Sequence, residues 1–342
     1  MSGASDTEFM REALTLALEA WGMTNPNPMV GAVVVRDGKV IGRGYHHRSG
    51  LPHAEIEALN DVHRNGFDPA GAELYVTLEP CSTHGRTGAC TEAVMKAGIR
   101  RVVVGSLDPN PAHAGRGIGI LRSAGVEVET GVLEAECAEV NRSFFKWITT
   151  GRPFVTLKLA TTLDGRIAAA SGCSQWITGA EARGRVQKLR RLADAVMVGG
   201  GTWRTDKPSL TVRDVENWPC QPLRVIVSSR LTRDAVAECY PDGRFEVVAL
   251  PDKAAWDKFL ADLGGRGMVN VLIEGGGELA ASALAAKAVD CVEFHVAPKI
   301  LGGRDSRPAV GGASPETLAE ALELKNVRVE RLGKDVMIAG EI

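Results

Sequence analysis

The feature that most restricts this chain is a group of four residues between Pro52 and Cys90. His53 is followed two positions later by Glu55, and eight residues separate Cys81 from Cys90. One imidazole nitrogen and two thiolate sulfurs are three of the four ligands that tetrahedral zinc needs, and an open fourth position is typical of a catalytic site. The stretch therefore predicts a fold that brings these side chains together around a catalytic zinc ion.

The local sequence puts these residues at the ends of regular elements. His53–Val62 has the periodicity of a helix, Thr77–Glu79 that of the end of a strand, and Cys90 opens a second helix over Thr91–Gly98. Two helix N-termini would then face the metal, where their positive ends favour thiolates. Zinc lowers the pKa of a water that it binds from above 15 to about 7, and Glu55 would transfer the protons.

The alternative is that Cys81 and Cys90 are ordinary buried cysteines and that His53 caps a helix. Each residue alone would favour that interpretation. The three together, with Glu55 and Pro80 also in place, favour the metal site. A structural zinc is disfavoured because no convincing fourth protein ligand is found.

Composition sets limits on the class of protein. The chain has 342 residues, enough for two domains, and a formal charge of −2, which argues against binding nucleic acid by bulk electrostatics. No apolar run reaches the roughly 18 residues of a membrane span. Seven irregularly spaced cysteines suit a reducing compartment better than a disulfide framework. We expect a cytoplasmic enzyme that binds neither nucleic acid nor membrane.

The first half has the pattern of an α/β sandwich. A capping box at Ser5–Glu8 opens an amphipathic helix, and Asp37–Gly38 predicts a hairpin between two strands. The proline-rich loop Asn25–Pro28 is either a rigid turn or a rim of amides beside the metal. The aromatic segment before Gly151–Pro153 ends this pattern, so we predict domains at residues 1–149 and 150–342.

The second half alternates short apolar runs with helices, which predicts a mostly parallel sheet closed by a C-terminal hairpin. It lacks the Gly-x-Gly-x-x-Gly fingerprint of ordinary dinucleotide-binding folds. Two glycine clusters, Gly199–Thr202 and Glu274–Glu278, follow predicted strands instead. Ligands bind at the carboxyl ends of parallel strands, so these clusters are candidate phosphate-binding loops as well as plain turns.

The first half resembles the deaminase domain of the bifunctional riboflavin-biosynthesis deaminase/reductase family. The resemblance rests on these motifs: Asn25–Pro28, Gly44–His46, Pro52–Glu55, Thr77–Cys81, Gly85–Thr87 and Asp108–Pro111. It implies a cytidine-deaminase-like fold in which His53, Cys81 and Cys90 bind zinc, Glu55 is catalytic, and Asn27 and His46 bind the substrate. The chain departs from the family at Gly88–Ala89 and at Thr83, where the family has a substrate-facing histidine.

The second half resembles the reductase domain of the same family, whose fold is like that of dihydrofolate reductase. The resemblance implies catalytic roles for Lys158 and Asp206. It implies that the nicotinamide cofactor is bound by Ala160, Trp176, Thr202, Asp206, Gly276, Gly277, Glu278 and Leu279. It implies that the substrate is bound by Ser174, Arg190, Leu210, Arg213 and Glu274. Guanidinium groups pair bidentately with phosphate, which suits the two arginines. Separately, Ser228 ends the third predicted strand of this half, where it would receive the ribose phosphate of the cofactor and favour NADPH over NADH.

The hypothesis is a bifunctional enzyme of riboflavin synthesis. It would deaminate a diaminopyrimidinone ribosylamine phosphate with zinc and then reduce the ribose with NADPH, and the resemblance implies a homodimer or larger assembly. Three alternatives stay open: a deaminase of another nucleobase or nucleoside with an unrelated second domain, a reductase with an impaired deaminase domain, and a non-catalytic protein on a deaminase scaffold.

Overall fold

The computed structural model describes residues 5–83, 88–111 and 113–342. The chain divides into two compact units, one ending at Gly151 and the other spanning Arg152–Ile342. The helices of the first unit are α1 (Asp6–Leu18), α2 (Ala54–Arg64), α3 (Cys90–Lys96), α4 (Arg116–Ser123), α5 (Glu134–Val140) and α6 (Arg142–Thr150). Its strands are β1 (Gly31–Arg36), β2 (Lys39–Tyr45), β3 (Glu73–Leu78), β4 (Arg101–Ser106) and β5 (Glu127–Thr130).

These strands form a sheet in the order β2-β1-β3-β4-β5 among the described residues. β1 and β2 form the predicted antiparallel hairpin, and both Asp37 and Gly38 have the positive φ that such a turn requires. β3, β4 and β5 are parallel. The α/β sandwich that the sequence predicts is confirmed.

Helix α2 lies directly against the backbone of β2. A Cβ atom on Gly44 would lie 2.2 Å from the amide nitrogen of Ala58 and 2.5 Å from the carbonyl oxygen of Ala54. Only glycine allows this approach. The contact fixes the start of α2, and His53 occupies the N-cap position, where its side chain makes no capping hydrogen bond.

The second unit contains α7 (Ala180–Leu192), α8 (Gly200–Asp206), α9 (Arg233–Ala237), α10 (Lys253–Gly265), α11 (Gly277–Ala285) and a 3₁₀ turn (Leu318–Glu320). Its first strands are β6 (Phe154–Thr162), β7 (Arg166–Ala168), β8 (Ala195–Gly199), β9 (Leu223–Val227) and β10 (Phe245–Val248). The later strands are β11 (Asn270–Ile273), β12 (Cys291–Ala297), β13 (Arg307–Pro308), β14 (Lys325–Leu332) and β15 (Asp335–Glu341).

The main sheet of this unit has the order β10-β9-β8-β11-β6-β12-β15-β14 in the part of the chain that the structure describes. The strands from β10 to β12 are parallel, whereas β15 and β14 form the predicted closing hairpin. The short strands β7 and β13 pair with each other and were not predicted.

Alternation along β6 separates the core of the second unit from its cavity. Leu157 and Leu159 are buried in the cluster that contains Trp256, whereas Lys158 and Ala160 point to the opposite face and line a cavity. α8 begins directly after β8, and α11 begins shortly after β11. Two helix N-termini and two glycine-rich turns therefore lie at the carboxyl ends of neighbouring strands.

Candidate active sites

The first unit brings the predicted metal ligands together. His53 precedes α2, Cys81 follows β3 after Glu79 and Pro80, and Cys90 is the first residue of α3. The Nδ1 atom of His53 lies 3.5 Å from Sγ of Cys81 and 3.3 Å from Sγ of Cys90. The three ligand atoms all lie within 4.8 Å of one another.

This donor set fits zinc. One imidazole nitrogen and two sulfurs around a common point leave a fourth tetrahedral position for water or substrate. A hydrogen bond between the two thiols lowers the pKa of Cys81 and raises that of Cys90, so without a metal the pair shares one proton, and Cys81 is the thiolate. The backbone amide of Cys90 lies 3.4 Å from Sγ of Cys81 and links the two ligands.

Glu55 lies in the first turn of α2 and is 3% exposed. Its carboxyl group contacts the Cys90 thiol, and burial raises its pKa to about 7. A carboxyl group with such a pKa both accepts and donates a proton near neutrality. The spacing of two residues between His53 and Glu55 thus puts a buried carboxyl group beside the cluster of His53, Cys81 and Cys90, and its role in proton transfer stays a prediction.

Asn27 and His46 are held to each other. Nδ1 of His46 lies 3.0 Å from the carbonyl oxygen of Pro52, so it is the protonated nitrogen, and Nε2 accepts from the Asn27 amide at 3.1 Å. His46 is buried, and burial lowers its pKa. Both of its ring nitrogens have protein partners, so His46 orients Asn27, and direct contact of either residue with substrate stays a prediction.

Thr83 is exposed near Cys81. The family motif Gly85–Thr87 lies outside the described residues. The Asp108–Pro111 motif follows β4 and forms a turn in which the amide of Asn110 donates to Asp108 at 2.9 Å. Burial raises the pKa of Asp108, whose carboxyl group lies close enough to Cys81 to interact with its charge.

The second unit contains a cavity of about 1210 Å³. Almost every residue predicted for the reductase site lines it: Lys158, Ala160, Ser174, Trp176, Arg190, Thr202, Asp206, Arg213, Ser228, Glu274, Gly276, Gly277, Glu278 and Leu279. Leu210 is the exception, because its side chain is buried in a core cluster with Trp203 and Tyr240. The cavity is large enough for a dinucleotide cofactor and a substrate together.

Glycines in the turns that follow the strands allow these turns to pack closely against one another at the cavity. A Cβ atom on Gly276 would lie 3.2 Å from Oγ1 of Thr202, and Gly276 has a φ of 92°. A Cβ on Gly200 would lie 2.8 Å from Oγ of Ser228. The turns after β8, β9 and β11 therefore form one continuous surface.

Arg190 and Glu274 form a buried bidentate ion pair. Nε and Nη2 of Arg190 donate to the two carboxylate oxygens of Glu274 at 2.6 and 2.7 Å, and Nη1 donates to the carbonyl of Thr211. Burial alone would raise the pKa of Glu274, but the guanidinium keeps it lowered. Arg190 is thus engaged within the protein, whereas Arg213, whose Nη1 donates to Ser209, is exposed at the cavity.

Both units are similar in sequence to known protein families. Residues 4–106 match the family model of the cytidine and deoxycytidylate deaminase zinc-binding region, and residues 153–338 match that of the RibD C-terminal domain. The riboflavin biosynthesis protein RibD of Aquifex aeolicus is 40% identical, with 97% of each chain covered.

Solved structures agree with the sequence matches. Acinetobacter baumannii RibD has a TM-score of 0.86 and 38% identity, with 98% of this chain and 99% of that chain covered. A diaminohydroxyphosphoribosylaminopyrimidine deaminase/5-amino-6-(5-phosphoribosylamino)uracil reductase from Thermotoga maritima has a TM-score of 0.87 and 35% identity, with 98% of both chains covered. The chain belongs to the RibD family.

Membership of the RibD family confirms the predicted fold classes and the bifunctional deaminase and reductase assignment in riboflavin biosynthesis. It also confirms zinc and NADPH as cofactors, in agreement with the cluster of His53, Cys81 and Cys90. The match over residues 153–338 leaves no room for an unrelated second domain, and nothing favours the other two alternatives. Among the described residues, no helix has the length and apolarity of a membrane-spanning segment.

Three features of this RibD site were not predicted. Arg183 lies over the Trp176 ring at 4.6 Å, and spacing of i, i+4 and i+7 with Gln187 and Arg190 on α7 was a signal that could have found it. Lys299 donates to the Trp176 carbonyl at 2.6 Å. Ser174 hydrogen-bonds Asp206, whose pKa is raised by burial.

The sequence also did not predict a buried network behind Lys158. Glu293 on β12 is in register with Lys158 on β6, and it accepts from Arg185 at 3.0 Å and from His295 at 2.8 Å. Lys158 is buried at the cavity, and burial lowers its pKa. No short motif connects these residues, so the sequence alone carried no signal for the network.

Proposed function

We propose that residues 1–149 hydrolyse the exocyclic amine of 2,5-diamino-6-ribosylamino-4(3H)-pyrimidinone 5′-phosphate and that residues 150–342 reduce its ribosyl group to ribityl with NADPH. The observation that carries the first step is Glu55, buried beside three converging zinc ligands. The second step is supported by the cavity that most of the residues predicted for the reductase site line.

In the deaminase, His53, Cys81 and Cys90 would hold zinc, which would supply a bound water of lowered pKa. Glu55 removes a proton from the attacking water and delivers it to the departing amine, so that water adds at the ring carbon and ammonia leaves. Asn27, oriented by His46, hydrogen-bonds the heterocycle. Burial of Glu55 keeps bulk water from competing for this proton.

In the reductase, bound NADPH would supply a hydride to C1 of the ribosyl group, while the bond from C1 to the ring oxygen breaks and that oxygen takes up a proton. Ala160, Trp176, Thr202 and the turn at Gly276–Leu279 hold the cofactor, and Lys158 and Asp206 border the reacting carbon. Arg213, which is exposed at the cavity, binds the substrate phosphate together with Ser174. Arg190 keeps Glu274 ionised and in place, so that Glu274 accepts a hydrogen bond from the substrate.

Ser228 is proposed to bind the ribose phosphate of NADPH. Its Oγ accepts hydrogen bonds from the amides of Arg230 and Leu231, both at 3.1 Å. With both lone pairs engaged, the hydroxyl hydrogen is left to donate to a phosphate oxygen. Arg230 also lines the cavity and adds a positive charge there.

The test is a mass-spectrometric product assay on the diaminopyrimidinone ribosylamine phosphate. We expect the deaminated compound alone without NADPH and the ribityl product when NADPH is added. A requirement for NADPH before any change occurs would contradict the deaminase assignment. No conversion under either condition by a zinc-loaded sample would show that the substrate is wrong.

We also infer a homodimer and a cytoplasmic location. β14 is an end strand of its sheet, and Val327 and Val329 on it are 53% and 68% exposed. Antiparallel pairing of two β14 strands about Val329 would put Arg328 opposite Glu330 of the partner subunit, and opposite charges across strands are favourable. None of the seven cysteines, all of which lie among the described residues, forms a disulfide, which suits a reducing compartment.

The dimer is tested by light scattering after size-exclusion chromatography. We expect Arg328→Glu to produce monomers through like charges, and Arg328→Glu with Glu330→Arg to restore the dimer. A wild-type monomer, or a dimer unaffected by the single reversal, would refute this interface.

A further inference from the structure

Glu79 belongs to the Thr77–Cys81 motif but is neither a metal ligand nor the proton carrier. It is 6% exposed, and its carboxylate accepts four backbone hydrogen bonds. Oε1 accepts from the amides of Gly117 at 2.9 Å and Ile118 at 3.4 Å. Oε2 accepts from Gly115 at 3.0 Å and Asp108 at 3.3 Å.

These bonds tie Glu79 to two segments that lie 29 to 39 positions further along the chain. One is the turn that begins at Asp108, and the other is the start of α4. The backbone of Glu79 adds a further bond, because its amide donates to the carbonyl of Ser106 at 3.0 Å. The side chain therefore fastens the chain after β4 to the segment that carries Cys81.

Close packing supports the same attachment. A Cβ atom on Gly117 would lie 2.2 Å from the carbonyl oxygen of Pro80 and 3.2 Å from Oε1 of Glu79. The first turn of α4 thus lies directly on the residue that precedes the metal ligand Cys81. The turn at Asp108 lies beside the segment that carries the metal ligand, since the Asp108 amide donates to the carboxylate of Glu79, two residues before Cys81.

We propose that Glu79 is a positioning residue of the deaminase, which holds the turn beginning at Asp108 at the rim of the metal site so that this turn meets the substrate. The proposal rests on the deaminase function proposed above. Glu79 touches neither the metal ligand atoms nor the reacting groups in this scheme; its effect passes through the backbone amides that it orders.

A carboxylate is required here because both oxygens act as acceptors. Glutamine has nearly the same shape, but its NH₂ group would face two backbone N–H groups in either orientation of the amide. Two donors would then oppose each other, and one end of the turn would detach. Glu79→Gln is therefore a nearly isosteric variant that loses the two backbone hydrogen bonds accepted by one of the carboxylate oxygens.

The test compares Glu79→Gln with Glu19→Gln, the same change at an exposed position of the first unit. For Glu79→Gln we expect the KM of deamination to rise about 10- to 100-fold, the effect of misplacing substrate-binding groups, with bound zinc unchanged. Reduction of the deaminated pyrimidine by the same sample should stay at the wild-type rate, which shows that the protein is folded and loaded. Glu19→Gln should behave as wild type.

Gly117→Ala provides a second route to the same displacement without altering the carboxylate, because its Cβ would push α4 away from Pro80. We expect the same rise in KM. Loss of zinc from Glu79→Gln, a fall in kcat at constant KM, or wild-type kinetics in both variants would overturn the positioning role. A wild-type enzyme that fails to deaminate the pyrimidine would instead refute the proposed function.

Discussion

The metal cluster of the first unit and the cavity of the second unit are built in different ways. The cluster takes its ligands from one continuous stretch, each at the end of a helix or strand. The cavity is held by ion pairs between residues far apart in the chain, such as Arg190 with Glu274 and Arg185 with Glu293. The residues of a locally built site can be predicted from sequence motifs. The contacts of a site built from distant residues can be predicted only when the order of the strands is known.

The largest effect is expected when a metal ligand is removed. Cys90→Ser replaces a thiolate with a hydroxyl group, which is a poor zinc ligand. Zinc content should fall below one per chain and deaminase activity by at least about 100-fold, since even residues behind the ligands affect such sites by 10- to 100-fold. Metal analysis and the two activity assays check this.

Reductase activity of Cys90→Ser should be unchanged, because the cavity shares no residue with the cluster. Cys173→Ser, at an exposed cysteine outside the cluster, is the control and should retain zinc. A Cys90→Ser protein that keeps its zinc would show that the cluster of His53, Cys81 and Cys90 is not the zinc site.

The next effect concerns the buried ion pair of the cavity. Arg190→Met leaves Glu274 charged and without its partner, and both side chains are only 8% exposed. The free energy of unfolding should fall by about 3–5 kcal/mol, measured by urea denaturation followed by tryptophan fluorescence. The double variant Arg190→Met with Glu274→Leu should recover most of this loss.

A matched control is Arg266→Met, which breaks a more exposed pair with Glu246 and should cost less than about 1 kcal/mol. If Arg190→Met costs no more than this control, long-range ion pairs do not hold the cavity. Zinc content should be the same in all these variants.

The smallest effect is a pH dependence due to Glu293. Burial opposes ionisation, but hydrogen bonds from His295 and Arg185 lower its pKa to about 2 from an ordinary value of 4.5. A lowered carboxyl pKa stabilises the folded state above pH 4.5, and this contribution is lost as the pH falls from 4.5 towards 2. Its full size is at most about 3 kcal/mol.

Denaturation of wild type and Glu293→Gln at several pH values in this window isolates the contribution, because other acidic groups are common to both proteins. The difference in unfolding free energy should shrink as the pH falls. A difference that stays constant would show that Glu293 does not titrate in this range.

Much of the first unit could be predicted because its signals are local. The helix starting after His53 and the hairpin at Asp37–Gly38 depend on neighbouring residues, and both formed as predicted. The role of Glu79 could not be predicted in this way. Its partners are backbone amides some thirty to forty positions away, and backbone amides carry no sequence signature.

In the second unit, the alternation of short apolar runs with helices predicted the mostly parallel sheet and its closing hairpin, and the structure has both. Side-chain partners were harder, and the pairing of Arg190 with Glu274 shows why. Each residue fitted a substrate-binding pattern separately, but their pairing depends on α7 lying over the end of β11. Such contacts depend on the order of the strands in the sheet, and the hydrophobic periodicity of the sequence does not encode that order.

The most direct test of the two-site account uses a reciprocal pair of variants, Glu55→Gln and Lys158→Met, each assayed for both reactions. We predict that Glu55→Gln loses deamination by about 10²- to 10⁴-fold and still reduces the deaminated pyrimidine with NADPH. Lys158→Met should deaminate at the wild-type rate and lose reduction. Loss of both activities in either folded, zinc-loaded variant, or deamination that survives Glu55→Gln, would contradict the account.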